Sequence, residues 1–128
     1  MATKTMEPKL DLTTPTIENV LAFRTTVGGV TIKGGESKVL GVVDTTKFNK
    51  IRVVADERVG STCNIWVRLT ITETGNEWVA FLDHFMLTPH SELTKVYDVP
   101  CKAITVAIDG VGVATNSGTV DVLIYGQY

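Results

Sequence analysis

The stretch Thr62-Cys63-Asn64-Ile65-Trp66-Val67-Arg68-Leu69-Thr70-Ile71-Thr72 alternates without a break. Its odd positions, Cys63, Ile65, Val67, Leu69 and Ile71, are apolar, and its even positions carry Asn64, Trp66, Arg68 and threonines. Successive strand side chains point to opposite faces, so a period of two sets one face on a core and the other outside. Such alternation marks antiparallel sheet, because parallel strands are covered on both faces and read as unbroken apolar runs. The same period recurs in Ile51, Val53 and Ala55, in Ile104, Val106 and Ile108, and in Val120, Val122 and Ile124. Strands with one apolar face each bury those faces by packing two sheets together.

Turn signals on either side repeat at the spacing of an all-β domain. Expected strands are Glu18–Thr25, Gly29–Lys33, Lys38–Val43, Lys50–Asp56, Thr62–Thr72, Glu77–Leu87, Leu93–Val99, Lys102–Asp109 and Gly118–Tyr125. With 19 Thr, 18 Val and 8 Ile, about a third of the 128 residues are β-branched, which favours sheet over helix. No window has capped 3.6-residue periodicity, so essentially no helix is expected. Residues 1–16 form a polar N-terminal arm and 17–128 a single domain. The shared period gives an expected core of Ile51, Val53, Ile65, Val67, Leu69, Ile71, Phe81, Phe85, Ile104, Val106, Val120, Val122 and Ile124. Strand number and spacing resemble an antiparallel β-sandwich of eight to nine strands, jelly-roll or galactose-binding-like. The resemblance stops at architecture, and such folds host many functions.

Glu77–Leu87 breaks the pattern, since both of its faces are largely apolar. A three-residue hairpin loop, Glu73-Thr74-Gly75, pairs odd positions with odd and sends Phe81 and Phe85 inward. Trp78, Leu82 and Met86 then lie outside, beside Trp66. A two-residue loop would exchange the two sets. Either way, one apolar row needs a cover.

Twelve Lys and Arg against fourteen Asp and Glu give a net charge of −2, without the basic face that grips nucleic acid. No stretch has the roughly 18 apolar residues of a membrane helix, so no membrane partner is expected. Met1–Pro15 lacks the apolar core of a signal peptide, which makes the cytoplasm the default compartment. The two cysteines, Cys63 and Cys101, fall on opposite strand parities, which is poor geometry for a disulfide, and buried free thiols are expected.

Catalytic constellations are weak. His84 and His90 are the only histidines, and a zinc site needs three or four ligands, so no metal and no cofactor is expected. His84 follows Asp83, but neighbouring strand residues face opposite ways, so Asp83 is a poor orienting partner. No G-x-S-x-G nucleophile motif exists, and Cys63 in apolar surroundings is an inert thiol. Gly110-Val111-Gly112-Val113 looks like a dinucleotide loop, yet no helix follows it to hold phosphates, so it reads as a hairpin loop. Asp56, Glu57 and Arg58 form a polar loop site that could hold a cation or a sugar hydroxyl. Exposed trios of this kind are more often self-neutralising strand ends.

The remaining candidates are aromatic and apolar: Trp66, Trp78, Leu82 and Met86 on an outer sheet face. Such a face is covered by another subunit, stacks on sugars, or is covered by the N-terminal arm through Met6, Leu10 and Leu12, which would leave the chain monomeric. Leu82 and Met86 are poor sugar ligands and good interface residues. The expected function is therefore a non-catalytic structural or interaction protein forming a homo-oligomer, not an enzyme. The alternative is a carbohydrate-binding module that holds a glycan on its tryptophans.

Overall fold

The computed structural model describes residues 19–72, 80–99 and 102–128. Nine strands follow in order: β1 Asn19–Arg24, β2 Val30–Lys33, β3 Ser37–Asp44, β4 Lys50–Glu57, β5 Ile65–Thr72, β6 Ala80–Leu87, β7 Glu92–Asp98, β8 Ala103–Gly110 and β9 Ser117–Gln127. Each corresponds to one expected strand, and among the described residues there is no helix. The start of β5 is the main boundary difference. Thr62, Cys63 and Asn64 belong to the preceding loop, although Cys63 is buried as its parity required.

All pairings are antiparallel. One sheet runs β1-β9-β4-β7, with β2 also pairing to β9, and the other runs β3-β8-β5-β6. The eleven-residue β9 is long enough to take β2 along its first half and β1 along its second, while β4 lies on its other side. After β2 every connection crosses between the sheets except the β5–β6 hairpin. This crossing order is that of a jelly roll. It gathers the β2–β3, β4–β5, β6–β7 and β8–β9 loops at one end, where Gly34, Gly35, Thr62 and Val111 donate to carbonyls of neighbouring loops and strand ends.

The alternating rows meet between the layers. Ile51, Val53, Ile65, Val67, Leu69, Ile104, Val106, Val120, Val122 and Ile124 are all buried there, as expected, with Ile32, Val43 and Ile108. Gly110 ends β8 where a Cβ would fall 2.1 Å from the Lys33 carbonyl oxygen, so close chain approach explains this glycine.

β6 departs from the expected phase. Ile65 pairs with Leu87, Val67 with Phe85 and Leu69 with Asp83, which is odd with odd. The register then shifts, so that Thr70 faces Phe81 and Ile71 faces Ala80, and Leu82 becomes an extra residue. A β-bulge of this kind exchanges the faces of everything beyond it. Phe85 is 7% exposed in the core, whereas Phe81 turns outward and is 50% exposed. Leu82, expected outside, packs partly buried against the core. Ile71 keeps its inward partner Ile104 but is only half-buried at the strand end. Trp78 and Cys101 lie outside the described residues. A second bulge on β3, at Leu40, lets Val39 and Val42 both face outward.

Truncating Leu69 to Ala should cost about 2–5 kcal/mol in denaturant unfolding, through lost burial plus a cavity. Phe85→Ala should cost about 3–5 kcal/mol, and Phe81→Ala about 1 kcal/mol or less. Equal costs for the two phenylalanines would contradict the bulge.

Candidate functional site

The outer face of the β3-β8-β5-β6 sheet holds two of the four expected interface residues, Trp66 and Met86. Trp66 on β5 lies opposite Met86 on β6, and Arg68 lies opposite His84. The His84 ring stacks on Trp66 at 4.2 Å between centroids, and Phe81 stacks on the other neighbour position of His84 at 5.5 Å. Arg68 donates to both carboxylate oxygens of Asp109 on β8, at 2.6 and 3.1 Å, and Ser37 on β3 donates to the same carboxylate. Burial pushes the Asp109 carboxyl up, but the bonds from Arg68 and Ser37 outweigh it and hold it below the usual carboxylate range. Arg68 and Asp109 are thus paired with each other within this face. Its apolar rim is exposed: Val39 is 68% exposed, Val42 50% and Met86 42%.

Leu82 is not part of this face, because the bulge turns it toward the core. Phe81 takes its place. The signal for a bulge was present in the two-sided apolar character of the strand, but its position was not.

Alternation divides the polar trio at the loop end. Glu57 continues the inward row of Ile51, Val53 and Ala55, while Asp56 and Arg58 face outward. Asp56 stands directly between Asp121 on β9 and Glu92 on β7. The Arg58 guanidinium pairs with the buried Asp121, which also accepts the Thr25 hydroxyl at 3.1 Å. His90, at a positive φ of 67°, accepts the Gly60 N–H on Nε2 at 3.0 Å. A cavity of about 290 Å³ lies among Asp56, Glu57, Arg58, Val59 and His90. All three members of the trio border this space, but the Glu57 carboxyl is buried on the inner face while Arg58 is paired with Asp121 on the outer one. Among the described residues, no group of three or more His, Cys, Asp or Glu is placed to hold a metal ion.

Glu57 itself is 1% exposed, and neither carboxylate oxygen has a hydrogen-bond partner. Burial pushes its pKa up to about 7, opposed by the nearby Ser61 hydroxyl. Burial also raises the Cys63 thiol, with the Glu57 charge acting in the same direction, which suits an unreactive cysteine.

One polar cluster was not legible in the sequence. Asp83, opposite Leu69, faces the second sheet and accepts the Tyr97 hydroxyl at 2.6 Å and the Lys95 ammonium at 3.1 Å, both from β7. It bridges the two layers along the edge where β6 and β7 face each other. Burial raises the Asp83 carboxyl, but Tyr97, the His84 backbone N–H and Lys95 outweigh it and hold it low. Burial, then the bond to Asp83, pushes the Tyr97 phenol well above its usual range. Lys95 also lies 5.1 Å from the Phe85 ring centroid. The one hint was an aspartate inside a strand that is apolar but for His84.

No helix among the described residues is long and apolar enough to cross a membrane. No protein-family model matches the sequence, and no curated protein matches it. Several solved structures have a similar shape. A chain from Bacillus endospore appendages, which form a novel family of disulfide-linked pili, matches with a TM-score of 0.46 at 12% identity, over 86% of this chain and 90% of that one. A chain of an IBDV viral particle matches with a TM-score of 0.42 at 14% identity, over 94% of this chain and 35% of that one. A chain of the infectious bursal disease virus Gx strain gives 0.34 at 12% identity, over 92% and 36%. This chain spans about a third of the length of those viral chains. The likeness is one of shape, and the jelly-roll assignment rests on the strand order.

Glu57 gives a pH dependence of known sign. Its folded pKa of about 7 exceeds the unfolded 4.5, so the folded chain holds the proton more tightly. Its contribution is fully favourable below the unfolded value and is lost as pH rises through the folded one, amounting to about 3 kcal/mol at most. Asp83 and Asp109 act oppositely, stabilising above the carboxylate range and losing that effect in acid. The difference in unfolding free energy between Glu57→Gln and the parent should therefore grow between pH 5 and 8.5, in favour of the variant. A constant difference would show that Glu57 is solvated when folded.

Proposed function

We propose that the chain is a non-catalytic structural or interaction protein that assembles with copies of itself through the outer face of the β3-β8-β5-β6 sheet. The observation that carries this reading is the placement of Phe81 and Met86 beside the Trp66–His84 stack and of exposed Val39 and Val42 on the opposite edge strand of the same face, with Arg68 and Asp109 paired between them. Such a patch, on the order of several hundred Å², lies at the upper end for soluble monomers. Covering it at about 25 cal/mol per Å² favours association by several kcal/mol before the entropic cost of association.

Both edges of this sheet are bulged, at Leu40 and Leu82. Bulged edges resist strand addition by another chain, so contact through the face is favoured over edge pairing. A patch that is complementary to itself closes under symmetry, whereas a non-closing contact gives fibres. The carbohydrate-binding reading has weaker support, because His84 already occupies one face of the Trp66 ring.

Sedimentation at tens of micromolar should show an oligomer, and Met86→Lys should shift it toward monomer with little change in melting temperature. Leu82→Lys is the wrong probe, since it would place a charge against the core. A parent chain that is monomeric at that concentration would end this reading. Glycan binding that is lost in Trp66→Ala would favour the carbohydrate module.

A further inference from the structure

The Glu57 carboxyl is enclosed by three elements, and none offers it a cation. At the start of β9, a Cβ on Gly118 would fall 2.5 Å from Glu57 Oε2, so this position has room for the carboxyl only because it is glycine. Ile65 of β5 and Cys63 of the β4–β5 loop crowd the same spot, and Ser61 lies close by. The titratable group that faces Glu57 is Cys63, itself an acid. Arg58 points to the opposite face and is paired with Asp121, and Asp56 shares that outer face. On the β6–β7 loop, His90 is bonded to Gly60. A charge on Glu57 therefore has no cation beside it and at most the single hydroxyl of Ser61 to solvate it, and water is the remaining source of solvation.

The segment between that carboxyl and solvent, residues 58–64, contributes only Cys63 to the core and is otherwise stitched to the start of β9. Thr62 N–H donates to the Ser117 carbonyl at 2.7 Å, and the Ser117 N–H returns a bond to the Thr62 hydroxyl at 3.0 Å. Thr119 N–H donates to the Ser61 hydroxyl at 3.0 Å. Gly60, with φ of 95° and open space around it, supplies a pivot beside the exposed Val59.

We propose that the β4–β5 loop is a proton-operated flap over Glu57: closed on β9 while the carboxyl is protonated, and released from Ser117–Thr119 when the proton leaves and the carboxylate must reach water. The flap lies at the loop end of the sandwich and is independent of the self-association reading. Opening exposes Cys63 while the sheets stay paired, so the thiol serves as a reporter of the open state.

The test labels Cys63 with a neutral thiol reagent in a Cys101→Ser background, with and without Glu57→Gln, from pH 5.5 to 8.5. Comparing the two chains at each pH removes most of the intrinsic pH dependence of thiol chemistry. The labelling rate of the Glu57 chain relative to the Gln chain should be near one at pH 5.5 and rise about tenfold by pH 8.5. Amide-exchange protection in the Glu57 chain, which needs no variant at position 57, should fall over the same range at Thr62 and Thr119 and stay constant at Val67–Leu69. A labelling ratio that stays near one would overturn the proposal. So would an equal loss of protection in β5, which would mean that the whole chain unfolds.

Discussion

Each strand has one interlayer space in which to bury an apolar row, and a slip of a single residue would exchange its two faces. Val67, Leu69 and Ile71 on β5 meet Ile108, Val106 and Ile104 on β8 in register, and the row of β9 meets that of β4 in the other layer. Because β9 pairs with three strands at once, its phase fixes theirs. The burial of these rows supplies most of the free energy that holds the sheets together. Turns and loops are consequences of that registration. Gly110 is required because aligned strands bring β8 against Lys33 at backbone contact distance.

The constraint relaxes at the edges of the β3-β8-β5-β6 sheet, where a strand has a neighbour on one side only. There an extra residue can be inserted without disturbing a second ladder, and both edge strands carry one. Two effects follow from the insertion on β6. Phe81 is released to the outer face, where it joins the ring stack of His84 and Trp66. Leu82 and Asp83 both serve the interlayer side, one against the core and one as the acceptor for Tyr97 and Lys95. The same local irregularity thus builds the apolar face and closes the open edge of the sandwich with a polar bridge.

How legible this was in the sequence depended on whether periodicity alone decided the matter. The nine strands and nearly all of the core could be read because alternating Val and Ile rows allow one arrangement. The face of Phe81 and Leu82 could not, since an apolar residue at both parities leaves the energy of either phase similar and only cross-strand register chooses. The two hairpin registers weighed for this strand each describe one side of the bulge. Glu57 was legible in part: its parity with Ile51, Val53 and Ala55 points inward, while its neighbours Asp56 and Arg58 suggest a solvated loop. Parity prevailed, and it left Asp56 and the Asp121-paired Arg58 on the outer face and Glu57 as a buried acid. The Asp83–Tyr97–Lys95 bridge joins strands from different sheets, and nothing in the local sequence records that contact.

The β5–β6 register can be measured without substitutions by backbone nuclear Overhauser contacts between the two strands. The account predicts Leu69 opposite Asp83 and then Thr70 opposite Phe81, with Leu82 lacking a cross-strand partner. Uninterrupted pairing, with Thr70 opposite Leu82 and Ile71 opposite Phe81, would return Phe81 to the core and contradict it.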